Sequence, residues 1–435
     1  MASFRCQGQH HMTENQNETA RQNWATNIQF QAQHFMMPET IEQLQETVRA
    51  AAKVKVVGAG HSFNDIADTT GTLVSLNGLE KFIEIDREQQ TAVFHAGMTY
   101  IDIAPLIDKA GFALPNLSST PHVTVIGACM TATHGSGDGN KILSDQVSAL
   151  EIVNAEGELI QLSRATHGEK FNGMVVSLGG LGVVTKVTLD LVPSYQMQHE
   201  FYRQLPLANM VAHFDKIMGS AYSISLGTRW QNEIVDLALI RRRLVDAQAI
   251  AAAPTFYGGM LIGDELFANY PIERITFQQS GVAGAWYERL PFFNICSTLS
   301  GENERQSEYF VRREQAVEAL TAVSTLSDQM APFLKITEIR TIAADDHWLS
   351  PAYKQDCVGI HFSWIAAPEA ISNFLPVLEK ALAPYQPRPH WGKMFTMPPA
   401  EVQACYEKTA DFKALLAEFD PQGKFRNDYL TRYMS

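Results

Sequence analysis

The segment Val56-Val57-Gly58-Ala59-Gly60-His61-Ser62-Phe63 constrains this chain more than any other: a short apolar strand that ends in a glycine-rich turn with a histidine at its tip. Glycine lets the backbone turn its N–H groups toward an anion with no side chain in the way, and successive amides of this kind form an anion-binding nest. A pyrophosphate cradle is the functional reading, with His61 beside whatever the phosphates belong to. A nicotinamide-type Rossmann turn is the rival, but that motif needs a third glycine and a helix packed on the sheet. Here the turn runs into Asn64-Asp65-Ile66-Ala67-Asp68-Thr69-Thr70-Gly71, rich in loop formers, and then into a second strand at 72–76. A lone Gly-x-Gly is equally compatible with a plain β-turn, so the rest of the chain has to answer to it.

At 435 residues and 46% hydrophobic content, the chain can bury large cores and divides more naturally into two domains than one. Its formal net charge of -13, with no dense Lys/Arg cluster, argues against nucleic acid or an anionic membrane as partner and suits small neutral substrates. The five cysteines, Cys6, Cys129, Cys296, Cys357 and Cys405, are odd in number and far apart. No Cys-x-x-Cys pair occurs, so free thiols in a reducing cytoplasm are expected, and no metal site. No apolar run suggests a signal peptide or a membrane span, and residues 1–11 differ enough in composition from the rest of the chain to be read as a leader outside the fold.

Along the chain, Ile41, Leu44, Val48 and Ala51 have helical spacing and predict a helix within 38–52 that leads into the glycine turn. Strands at 82–85 and 92–95 and a helix over 100–110 come next, and 114–140 reads as a loop rich in small residues. Bulky side chains thin out there while hydroxyls and amides remain, which suits close contact with phosphates and a heterocycle. Its candidates are Ser118, Ser119, Thr124, Gly127, Thr131, Ala132, Thr133 and His134, beside Val56, Val57, Gly58, Ala59, Gly60, His61 and Ser62 from the first turn. A third stretch, Gly179-Gly180-Leu181-Gly182-Val183-Val184-Thr185, adds Gly182, Val183 and Val184 ahead of an alternating strand at 186–192. By itself it is a tight turn before a strand.

The second half carries polar residues at strand spacing. In the strand expected over 333–342, a period of two puts Glu338 and Arg340 on one face and Ile339 on the other. The next apolar segment repeats the device, with His361 and Ser363 opposite Ile360, Phe362 and Trp364. Two such strands make a hydrogen-bonding wall. Taken without context, Glu338, Arg340 and Lys393 are equally consistent with a structural ion-pair cluster.

Three small-residue stretches in this order resemble the PCMH-type FAD-binding domain of the vanillyl-alcohol oxidase superfamily. Within it, His61-Ser62-Phe63-Asn64-Asp65-Ile66-Ala67-Asp68, Thr133-His134-Gly135-Ser136-Gly137 and Asp420-Pro421-Gln422-Gly423-Lys424-Phe425-Arg426-Asn427-Asp428-Tyr429-Leu430 are similar to the alditol and xylitol oxidase branch, near the sugar-lactone oxidases. The similarity runs from about Trp24 to the end. It implies an α+β fold: a two-subdomain FAD-binding domain over 12–195, a cap domain over 196–396 with a mainly antiparallel sheet and flanking helices, and a segment 397–435 that returns to the first domain. Cap strands are expected at 222–226, 234–240 and 293–299, and a helix at 315–326.

The same resemblance implies FAD bonded through His61 to the 8α-methyl of the flavin ring, chemistry open to a neutral imidazole. It matches Ser119, Glu338, Arg340, Ser363 and Lys393, the last in Pro389-His390-Trp391-Gly392-Lys393, to polyol contacts, with His361 nearby and Arg340 also toward the cofactor. His390 would touch the flavin or buttress Lys393. The implied reaction takes the terminal primary alcohol of a polyol such as xylitol or sorbitol to the aldose, with hydride to flavin N5, oxygen as acceptor and hydrogen peroxide as product. Glu338, Lys393 and His361 are unranked as base. One departure bears on the acceptor: Ser118 stands where relatives usually carry glycine or a small apolar residue, which leaves a dehydrogenase acceptor open. An aldonolactone oxidase or dehydrogenase is the rival reading, and a flavin-loaded sugar-binding protein without turnover is a rival of another class. A monomer with no protein partner is expected.

Overall fold

Residues 22–246, 248–262, 280–293, 301 and 303–435 are described by the computed structural model. The first predicted helix forms at Ile41–Ala50, where the Thr40 side chain accepts from the Gln43 N–H and Leu44 and Val48 are buried. It feeds the strand Val54–Val56, which lies with Thr72–Val74 and His34–Met36 in a three-stranded parallel sheet, Thr72–Val74 in the middle. The glycine turn leaves the end of this sheet. A five-stranded antiparallel sheet comes after it, in the order Ile83–Asp86, Thr91–His95, Val183–Asp190, Val147–Val153, Leu159–Ser163. The helix Tyr100–Lys109 starts in a capping box in which Thr99 and Asp102 satisfy each other's backbone N–H groups.

One expectation needs correction. The stretch 114–140 is not all loop, because Val125–Met130 is helical and buries Val125, Ile126, Ala128 and Cys129. Small residues flatten the contrast between apolar and polar positions on which a periodic pattern depends, and Gly127 lowers local helix propensity, so packing rather than sequence pattern sets this turn and a half.

The second half builds a ten-stranded sheet among the described residues, antiparallel at every pairing. Its central strands run Gln196–Pro206, Ile234–Arg243, Ser223–Thr228, Leu334–Ile342, Cys357–Ile365, Glu304–Arg312. The strands expected at 222–226 and 234–240 fall within this set, and the helix expected at 315–326 forms at Ala316–Ser324. Most of the strand expected at 293–299 lies outside the described residues, as do residues 1–11, Cys6 and Cys296; Cys129, Cys357 and Cys405 are free thiols. Alternation gives the sheet two characters. Ile339, Ile360, Phe362 and Trp364 are fully buried on one face, where Trp364 meets Phe374 of the helix Pro368–Leu382, ring centroids 5.8 Å apart. The other face carries Glu338, Arg340, His361 and Ser363 toward the glycine turn.

The chain's end closes back on that turn. Asn427 Nδ2 donates to the carbonyls of Asp65, Ile66 and Asp68 at 3.1, 3.0 and 2.8 Å, and its Oδ1 accepts from the Leu430 N–H to cap the last helix, Asp428–Met434. The Val54 N–H donates to the Lys424 carbonyl, and Tyr429 OH to that of Trp391. No helix among the described residues is long and apolar enough to cross a membrane.

Candidate active site

Between the glycine turn and the polar face of the large sheet lies a cavity of about 460 Å³. Val56, Val57, Gly58, Ala59, Gly60, His61, Ser62, Ser118, Ser119, Thr124, Gly127, Thr131, Thr133, His134, Gly182, Val184, Arg340 and His390 all line it, and so do Glu338, His361, Ser363 and Lys393. Two expected residues stand outside its wall. Ala132 is buried in left-handed backbone, φ 56°, and Val183 is buried in register with Val153 at the start of its strand.

The turn is shaped by what glycine allows. Gly60 has φ +67°, and a Cβ on Gly58 would fall 2.3 Å from Thr124 Oγ1, so the first and second stretches approach at a distance no side chain permits. His61 comes next, its ring stacked on Trp24 with centroids 4.5 Å apart. Burial, and then the neighbouring His122, lower its imidazole to about 4, so it is neutral at neutral pH. The second stretch is tied to the sheet by the Arg340 guanidinium, whose Nη2 donates to Ser119 Oγ at 2.9 Å and to Glu338 Oε2. Ser118 donates its hydroxyl to the Thr120 carbonyl at 2.7 Å.

Strand register sets out the opposite wall. Gly227, Glu338, His361 and Glu308 lie directly across from one another on four adjacent strands. Glu308 is one residue that sequence reasoning missed. It is 1% exposed and touches three titratable groups: His134 Nε2 at 3.0 Å from Oε1, and Lys393 Nζ at 2.7 Å and His361 Nδ1 at 3.5 Å from Oε2. Burial pushes its carboxyl upward, but Lys393 and His134 outweigh that and hold it well below the usual carboxylate range. Its only local signal is a carboxylate directly before the apolar run Tyr309-Phe310-Val311, since a charge buried in a strand must be paired. Trp24, far from His61 in sequence, left no local signal.

The other groups obey the same balance. Burial raises Glu338, yet Arg340, His361 and Lys393 bring it below the ordinary value. Burial and Lys393 lower His361, burial and Lys393 lower His390 strongly, and burial with Arg340 lowers Lys393 against the opposing pull of Glu308. Lys393 Nζ donates to Glu308 and to His361 Nδ1, and His361 Nε2 faces Ser363 Oγ at 3.2 Å. His390 accepts from the Gly392 N–H at 3.0 Å and stacks on Phe310. Among the described residues Arg340 Nε, which is buried, has no hydrogen-bond partner, a donor held ready for something else.

A nest of small residues continuous with a polar wall is the shape of a dinucleotide enzyme, and comparison with known proteins names the dinucleotide. Residues 32–163 match the family described as FAD binding domain, and residues 302–433 that described as D-arabinono-1,4-lactone oxidase. The fold is similar to cholesterol oxidase of Brevibacterium sterolicum, with a TM-score of 0.77 at 13% identity, over 95% of this chain and 96% of that one. The protein is thus an FAD-binding flavoprotein. Over 415 residues, 95% of this chain and 98% of the relative, it is 39% identical to an alditol oxidase from a Streptomyces species. It is also 27% identical to L-gulonolactone oxidase of Bos taurus, over 94% of this chain and 97% of the relative. The chain belongs to the alditol oxidase family.

The residues present fit FAD. Two glycines, Gly58 and Gly127, sit against Thr124 where a Cβ would collide, leaving backbone rather than side chains to face a pyrophosphate. The neutral imidazole of His61 and the Nε of Arg340, without a partner among the described residues, line the same cavity.

Proposed function

We propose that the protein oxidises the terminal primary alcohol of an alditol such as xylitol or sorbitol to the aldose. The observation that carries this is the pairing of charge within the wall: Arg340 with Glu338, and Lys393 with Glu308. A wall neutralised from within offers many donors and acceptors and little net charge, which suits an uncharged polyol.

FAD, when bound, would supply a two-electron acceptor for the hydride of the carbinol carbon, with oxygen as its reoxidant and hydrogen peroxide as the product. The chain's own contribution starts at Lys393. Two of its three N–H positions are committed to Glu308 and His361, so the remaining position on Nζ is where the substrate hydroxyl binds and where its proton arrives. Burial and Arg340 make this amine easier to deprotonate than a free lysine, and Glu308 stabilises the ammonium once formed. Lys393 is therefore ranked as the base. Glu338, tied to Arg340 and acidic, is a poor base and a good acceptor for a second hydroxyl. His361 has its Nδ1 taken by Lys393 and acts as a positioning residue. Ser119 and Ser363 add hydroxyl contacts, and Arg340 Nε is available to oppose negative charge.

The finer features belong to the same proposal. His61 bonds the flavin covalently, residues 12–195 with 397–435 form the cofactor domain and 196–396 the cap, and the protein works as a cytoplasmic monomer. Oxygen is the favoured acceptor, because the Ser118 hydroxyl is turned onto the Thr120 carbonyl. The match of residues 302–433 to D-arabinono-1,4-lactone oxidase favours one second reading, oxidation of an aldonolactone. The test is the visible spectrum of the purified flavoprotein under anaerobic conditions. Bleaching by xylitol, with colour restored and peroxide formed on admitting oxygen, is expected; bleaching by a lactone and not by xylitol would move the assignment, and bleaching by neither would leave a binding protein.

A further inference from the structure

Two rows along the sheet from Glu338 and His361, the cavity wall carries a second polar group. Gln306 lies opposite Ser363 in register, and Gln306 Nε2 donates to Glu304 Oε1 at 2.5 Å. Ser363 Oγ reaches the same oxygen at 3.4 Å, and Lys335 Nζ stands 3.5 Å from Glu304 Oε2. Lys335 would not face this way in a regular strand. Glu338 and Arg340 point into the cavity, so alternation assigns Lys335 to the opposite face. The pairing slips between Leu334 and Ile336, and this β-bulge lets Lys335 line the cavity and meet Glu304. Bulges occur preferentially where a side chain must be re-aimed beside a site.

We propose that Glu304, Gln306 and Lys335 form a distal subsite that binds the vicinal hydroxyls farthest from the oxidised carbon, so that pentitols and hexitols are selected over glycerol. This rests on the alditol reading above. The chemistry fits adjacent hydroxyls, each of which donates and accepts. Lys335 and Gln306 keep N–H groups beyond those used within the trio, and the Glu304 carboxylate keeps lone pairs. The contacts of Ser363 and Lys335 with Glu304, at 3.4 and 3.5 Å, are at the limit of hydrogen bonding, so a hydroxyl that inserts displaces little. The side chains of Glu304 and Lys335 are 25% and 36% exposed, which places them where an entering chain passes. Glycerol held at Lys393 is too short to span the three hydrogen bonds that separate Lys393 from Glu304 by way of His361 and Ser363.

The test compares kcat/KM for sorbitol and for glycerol in the holoenzyme, the Glu304→Ala variant and the Lys335→Met variant. The ratio of the two should fall about tenfold or more in each variant, mostly through a higher KM for sorbitol, as expected for loss of hydrogen bonds to a charged group. Glu304→Gln, which keeps the volume, should fall between wild type and Glu304→Ala and guards against misfolding. A ratio unchanged within about twofold, or a loss carried by kcat for both alcohols, overturns the subsite and leaves a solvated ion pair. A wild-type enzyme that oxidises neither sorbitol nor xylitol overturns the alditol reading itself, and the subsite with it.

Discussion

Exchanging Glu308 for glutamine removes one charge from the centre of the site and keeps the side chain's shape. At the 2.7 Å separation of Lys393 Nζ and Glu308 Oε2, the attraction in an effective dielectric of about 20 is about 6 kcal/mol. Rearrangement of the surroundings and the remaining amide dipole reduce this to about 1.4–4 kcal/mol, the ordinary effect of an adjacent opposite charge. The sign comes from Lys393. Burial and Arg340 favour its neutral form and Glu308 favours the ammonium, so without Glu308 the amine gives up its proton at lower pH. The neutral amine is the reactive form, and the rate of anaerobic bleaching by xylitol therefore rises with pH through this titration. In Glu308→Gln the rising limb should move to lower pH by about 1–3 pH units. Its plateau should drop, because a weaker base accepts the proton more slowly. Stopped-flow absorbance across the pH range reads both, and the flavin spectrum and thermal midpoint of the variant report its folding. A limb that stays in place in a folded, flavin-loaded variant, or one that moves to higher pH, refutes Lys393 as the base sustained by Glu308.

The remaining predictions concern attachment and closure. Denatured wild-type protein should carry the mass of FAD, and His61→Ala should release its flavin into the acid supernatant; flavin retained by the variant, or released by the wild type, would rule out the proposed bond. Asn427→Ala should destabilise the protein by about 2–4 kcal/mol, since it loses three hydrogen bonds to backbone carbonyls and a helix cap. A urea midpoint unchanged from wild type would show that the carbonyls of residues 65–68 find other partners.

Legibility in the sequence tracked the range of each interaction. The glycine turn was readable because its conformation is local, and Glu338 with Arg340 because strand alternation needs only neighbours two residues apart. Helix Val125–Met130 was not, because residues chosen for close approach carry no periodic signal. Glu308 was hidden for another reason: its partners, His134, His361 and Lys393, come from three separate segments, and register across the sheet, not spacing along the chain, brings them together. Lys335 contradicted alternation outright, since a bulge is a property of the pairing of two strands.

The return of the carboxy-terminal segment has a consequence in time. Asn427 fastens carbonyls at residues 65, 66 and 68, a contact that spans 362 residues to Asp65. During synthesis the glycine turn emerges well before Asn427, the residue that locks it. Contacts this far apart in sequence are slow to form. The cofactor therefore meets a finished cradle only after Asn427 has emerged and docked, and loading follows that step of maturation: a nascent chain halted short of Asn427 should remain colourless however much FAD is supplied.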